Sequence, residues 1–151
     1  MKQSFYVPVL LFTLFTLAGR AQQSDPSSFH GAEATSASYK VVYFIDQQED
    51  KKIRGTLRNI NNALEDPRLK GKITVELVAF GDGVEMFKKT NPYDTLLLAL
   101  QRKGVILAEC ENTIRERKIS KDELWPFISF VPSGNGEIII RQQHGWASVH
   151  P

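Results

Sequence analysis

Four short runs of apolar and β-branched residues alternate with segments of helical period, and this alternation restricts the chain to helices wrapped around a parallel sheet. The runs are residues 40–45 (KVVYFI), 73–80 (ITVELVAF), 105–108 (VILA) and 128–131 (ISFV). They are nearly continuous rather than alternating, as expected of strands buried on both faces. Between the first two, residues 51–65 place Ile53, Leu57, Ile60 and Leu64 at spacings of four, three and four, an amphipathic helix that Asp66-Pro67 stops. After the second run, Gly81-Asp82-Gly83 leads into a short helix through Val84 and Phe87. Asn91-Pro92 then opens a further helix with an N-cap residue and a proline at its first position. Its apolar face is Tyr93, Leu96, Leu97 and Leu100, and Gly104 closes it. Beyond the third run, Thr113…Glu116 and Ser120…Glu123 are two capping boxes, which predict two short helices broken between Lys118 and Ser120. Ser133-Gly134 turns the fourth run into a helix over residues 137–143, which Gly145 ends before a last short strand at 146–149. The expected fold class is α/β: a three-layer α/β/α sandwich with a mostly parallel sheet of about five strands.

Residues 1–21 precede this pattern and carry the anatomy of an export signal. Lys2 gives the positive start, an apolar stretch runs from Phe5 to Leu17, and Gly19-Arg20-Ala21 places small residues at the two positions a signal peptidase reads. The stretch is shorter than the roughly 20 residues of a membrane-spanning helix, and Pro8 interrupts it, so cleavage is favoured over an uncleaved anchor. Residues 22–38 are polar, rich in Ser, Ala and Gly, and without apolar periodicity, the composition of a flexible linker. The folded domain is expected over residues 39–151, in a periplasmic or secreted protein that leaves the membrane once the signal is cleaved.

Of 19 Lys and Arg residues, Lys2 and Arg20 lie in the signal, which leaves 17 basic residues against 17 acidic ones. The mature protein is formally neutral. The pairs Lys51-Lys52 and Lys88-Lys89 read as solvated helix faces, and no basic stripe interleaved with aromatics suggests a nucleic-acid partner. One cysteine rules out an intrachain disulfide, so stability must come from the core. In an oxidising compartment that odd thiol is either buried and inert or reactive and useful.

In open α/β sheets, ligands bind outside the carboxyl ends of the strands. Those ends carry Asp46, then Gly81, Asp82 and Gly83, then Cys110 with Asn112 and Thr113, then Ser133 and Gly134. Cys110 stands just before a helix start, where free N–H groups lower a thiol pKa. Glu109 and Glu111 oppose that effect, and the direction of their side chains decides the balance. The plainer reading makes Cys110 a small buried packing residue. Gly81-Asp82-Gly83 is either a nest of N–H groups for an anion or a simple strand-to-helix turn, and Ser133-Gly134 is similarly a cap or an anion cradle. Neither is a Walker loop, no nucleophile elbow is present, and the three histidines lack metal-ligand spacing, so no metal site is expected.

Segments 40–46, 59–64, 80–83, 104–113, 131–134 and 143–151 together resemble the DsrE/DsrF-like family. The most specific is the G-V-x-L-x-x-C-x-N-T string from Gly104 to Thr113, continued by Arg115-Glu116-Arg117. The resemblance implies a doubly wound α/β domain assembled as a homo-oligomer, a trimer or hexamer. It also implies a sulfur relay in which Cys110 carries sulfane sulfur as a persulfide between a donor and an acceptor protein, without a cofactor. The alternatives are a non-catalytic module that holds a small ligand or anion at the same rim, and an oligomeric interaction protein in which Cys110 only packs.

Overall fold

The computed structural model describes residues 26–151, so the expected export signal and the first residues of the linker lie outside the described residues. The chain divides into two units at Ala32–Glu33. In the first, the described residues hold a 3-10 turn at Pro26–Ser28. The second begins without helix or strand and then contains β1 (Tyr39–Ile45), α1 (Asp50–Glu65), β2 (Ile73–Ala79), a 3-10 segment at Gly81–Phe87, α2 (Asp94–Arg102) and β3 (Ile106–Cys110). It continues through α3 (Glu111–Arg117), a 3-10 turn at Lys121–Glu123, β4 (Ser129–Val131), α4 (Gly134–Gln143) and β5 (Ala147–Val149). The expected α/β class is observed, with a five-stranded sheet of order β4-β3-β2-β1-β5 in which every pairing is parallel.

The near-continuous apolar runs are explained by burial on both faces. Val41, Tyr43 and Ile45 of β1, Val75, Leu77 and Ala79 of β2, and Leu107 of β3 point to the larger core. There they meet Ile53, Leu57 and Ile60 of α1 and Leu97 and Leu100 of α2. Val42, Val78 and Ala108 point the other way and form a thinner core with Ile138 of α4, flanked by Phe44, Phe80, Val131 and Trp146. One charged contact fixes α4 to this second face. Glu76, almost wholly buried, accepts from Arg141 Nε at 2.6 Å, while Glu137 accepts from the same group at 2.8 Å. The Arg141 guanidinium also lies 4.3 Å from the centre of the Trp146 ring.

Three helix starts differ from the sequence pattern. α2 begins at Asp94, not after Asn91-Pro92, because the Asn91 amide donates instead to Glu85, to its carbonyl at 2.8 Å and its carboxylate at 3.1 Å. Thr113…Glu116 forms no capping box: α3 already starts at Glu111 with Cys110 as its N-cap, and the Thr113 hydroxyl is engaged by Gly81. α4 begins at Gly134 rather than 137, capped by Ser133 Oγ, which accepts the Gly136 N–H at 3.2 Å. The Ser120…Glu123 box does form, around a single 3-10 turn. The break between these two helical pieces falls at Lys118, in the left-handed region at φ 55°.

The order of the strands places the site. β1, β2 and β3 each feed helical segments on the larger-core side, whereas β4 feeds α4 on the opposite side. Neighbouring strands whose exits diverge to opposite faces leave a crevice at their carboxyl ends. Here those strands are β3 and β4.

Candidate functional site

Cys110 is the last residue of β3 and the N-cap of α3, with extended backbone at φ −75° and ψ 117°. Its partner across the switch point is Val131 of β4, two residues before the Ser133 cap of α4. Two helices therefore begin beside one sulfur. Cys110 is 5% exposed and lies at the floor of an open cleft of about 290 Å³. The lining includes Phe80, Gly81, Asn112, Thr113, Ser133 and Gly134, with Glu116, Arg117 and Asn135 toward the mouth.

Burial is the largest influence on the thiol and by itself raises its pKa. It is outweighed by four donors together: the N–H of Gly134 from α4, the N–H groups of Thr113 and Asn112 from α3, and the Thr113 hydroxyl. The net pKa of Cys110 is below the ordinary thiol value, as expected where unpaired amides face a sulfur.

The local sequence explains how these donors reach it. Thr113 Oγ1 accepts the N–H of Gly81 at 2.9 Å, so its own proton is free to point at the sulfur. Gly81 itself is in the left-handed region at φ +56°, the turn that carries β2 into the next segment. Gly134 must lack a side chain because a Cβ there would lie 2.9 Å from Phe80 Cδ1. That close approach brings the first amide of α4 to Cys110.

Both carboxylates that flank Cys110 are removed from the balance. Glu111 is half exposed and pairs with Lys121 at 2.7 Å. Glu109 is fully buried on the other face of β3, and its pKa is pushed up to about 9, by burial first and then by the neighbouring sulfur. It is therefore neutral at physiological pH.

The cleft unites Cys110, Gly81, Asn112, Thr113, Ser133 and Gly134 of the residues expected from sequence, and Asp46, Asp82 and Gly83 are absent from its lining. Asp46 follows β1, two strands from β3, and its carboxylate contacts His150 Nε2 at 3.2 Å. Asp82 turns to the rim and pairs with Arg117 at 2.6 Å. Gly83 is a packing glycine: a Cβ there would lie 2.2 Å from the Ile45 carbonyl oxygen. Sequence reasoning did not single out Phe80, Glu116, Arg117 or Asn135 as site residues. A signal for Arg117 exists, since it follows Cys110 by seven positions, about two helical turns. Among the described residues, no three His, Cys, Asp or Glu side chains gather to hold a metal ion, and no helix is long and apolar enough to cross a membrane.

The DsrE/DsrF-like family profile matches residues 29–151. The chain belongs to the DsrE/DsrF-like family. Among solved structures, the protein of unknown function MTH1491 from Methanobacterium thermoautotrophicum is 31% identical, with a TM-score of 0.71 over 76% of this chain and 100% of that one. The protein of unknown function BT1422 from Bacteroides thetaiotaomicron shares the fold at 11% identity and a TM-score of 0.59, over 74% of this chain and 94% of that one. The ychN protein of E. coli does so at 14% identity and 0.54, over 77% of this chain and 100% of that one. No curated protein matches the chain. Membership and fold together place the chain in a sulfur-relay-like family.

Proposed function

We propose that this protein is an exported sulfur carrier that holds sulfane sulfur as a persulfide on Cys110. The observation that carries the reading is the convergence of the α3 and α4 N-termini on a lone thiol of lowered pKa at the floor of an open cleft. The Cys110 thiolate attacks the terminal sulfur of a donor persulfide. The donor S–S bond breaks, and its inner sulfur leaves with the bonding pair as a thiolate. Cys110 now holds the sulfur. An acceptor thiolate reverses the exchange, and Cys110 departs as the thiolate it was. No electron is gained or lost overall, so no metal, nucleotide or second cysteine is needed. The donor N–H groups and the Thr113 hydroxyl stabilise the negative sulfur at the start and end of each cycle.

The partners in this reading are a donor and an acceptor protein, with a homo-oligomer, trimer or hexamer, presenting the clefts. Ile139 and Ile140 on the outer side of α4 are 59% and 52% exposed, an apolar surface that assembly would cover. Export follows from the signal reading of residues 1–21, with cleavage delivering a periplasmic or secreted protein.

The test is mass spectrometry of the mature protein after incubation with a small-molecule persulfide. A gain of one sulfur atom that is absent from Cys110→Ser supports the reading. An unmodified wild-type thiol refutes it, and an ordered anion in the cleft of that unreactive protein would favour a binding module instead.

A further inference from the structure

Glu109 has no role in the sulfur exchange, yet it occupies an unusual position. It is fully buried, and neither carboxyl oxygen has a hydrogen-bond partner. It adjoins Cys110 in the strand that delivers the nucleophile, with its side chain on the opposite face of β3. Its register partners, Ala79 of β2 and Phe130 of β4, bring no charge. The charged or titratable groups that act on it are Cys110, which disfavours its ionisation, and Arg117 from α3, which favours it. Arg117 is meanwhile held at the cleft mouth by Asp82.

An unpartnered carboxyl in an apolar core is tolerable as the neutral acid and very costly as the anion. Two adjacent acids in such a place titrate as a pair: the first charge goes to the site that can stabilise it, and the second is suppressed. The sulfur has four donors, whereas the one donor that favours the Glu109 anion is the N–H of Cys110, too poorly placed to form a hydrogen bond. We propose that Glu109 is an acid coupled to the charge of Cys110, the two side chains holding a single negative charge between them, so that any reaction that leaves the sulfur neutral loosens the proton of Glu109. In that reaction the sulfur forms a neutral bond and the Glu109 proton becomes easier to remove, while burial, the larger influence, still keeps the acid protonated at neutral pH. A persulfide keeps a negative charge at the site, and Glu109 stays protonated. A mixed disulfide with a partner removes that charge. The inference requires an ionised Cys110 and is independent of sulfur transfer.

The experiment follows the infrared band of the protonated carboxyl against pH, assigned by its loss in Glu109→Gln. The unmodified protein should lose the band near pH 9. Converting the lone cysteine to its neutral carbamidomethyl form should raise the acid dissociation constant of Glu109 about tenfold or more, whereas the negatively charged carboxymethyl form should leave it nearly unchanged. Equal midpoints in all three forms, or equal shifts after both alkylations, would overturn the proposal. Cys110→Ser and Cys110→Asp repeat the neutral and negative states without reagent, and the same two patterns decide the outcome.

Discussion

Thr113 Oγ1 accepts the Gly81 N–H at 2.9 Å, and the same hydroxyl donates to the Cys110 sulfur. One buried side chain thus connects the exit of β2 to the nucleophile at the exit of β3. Replacing it with valine keeps the shape but leaves the Gly81 amide without an acceptor and the sulfur without one donor. Thr113→Val should cost about 1–3 kcal/mol of stability and raise the Cys110 pKa. Thr113→Ser should retain most of both properties. Urea denaturation and thiol titration on the two variants check this.

Gly134 is the narrowest fit in the cleft. Its Cβ would press on three atoms of the Phe80 side chain, at 2.9 to 3.2 Å. Gly134→Ala should therefore push the first turn of α4 away from Cys110, at a cost of about 1–3 kcal/mol. The Cys110 pKa should rise with the lost amide. Restoring space with Phe80→Leu in the same chain should recover part of the stability, measured by thermal unfolding.

Arg117 and Asp82 form an ion pair in which both side chains are more than 40% exposed. Arg117→Gln should change stability by about 1 kcal/mol or less. Its effect on reactivity should depend on the charge of the reagent. Loss of the cation should slow alkylation by iodoacetate more than by iodoacetamide, and added salt should shrink the difference.

Glu109 makes stability fall with rising pH. Its folded pKa, about 9, stands above the value of roughly 4.3 expected of an unfolded chain. Below both values the two states bind the proton equally. Between them the unfolded state ionises and the folded state does not, which costs up to about 1.4 kcal/mol per pH unit before levelling off above pH 9. Glu109→Gln removes this dependence. Its stability relative to the parent should improve steadily from pH 5 to pH 9 in urea denaturation, and parallel curves would contradict the account. The Cys110 titration has the opposite sign, since its folded pKa is lowered, but it is common to both proteins in the comparison.

The fold was legible because strands buried on both faces cannot disguise their composition, and because Ile53, Leu57 and Ile60 have only one helical face to share. Two capping signals failed for a common reason. Asn91 and Thr113 have side chains able to cap, but both spend their hydrogen bonds on a distant or preceding segment, Glu85 in one case and Gly81 in the other. The cleft was legible where it depended on strand ends next to the switch point, as for Gly81, Cys110, Thr113 and Gly134. Asp46 lies outside that cleft because strand order, not strand sequence, puts β1 two places from β3. The state of Glu109 was beyond reach for a similar reason. A carboxylate next to a thiol opposes ionisation when it is charged, and only the burial of Glu109 shows that it is not.

The most direct test is the pH dependence of alkylation at the single thiol of the folded protein. An open, reactive sulfur is expected, with a rate that is half-maximal at a lower pH than for the same thiol in the urea-unfolded chain and a midpoint that rises in Thr113→Val. A thiol that reacts only after unfolding, or with a midpoint at or above that of the unfolded chain, would contradict the account.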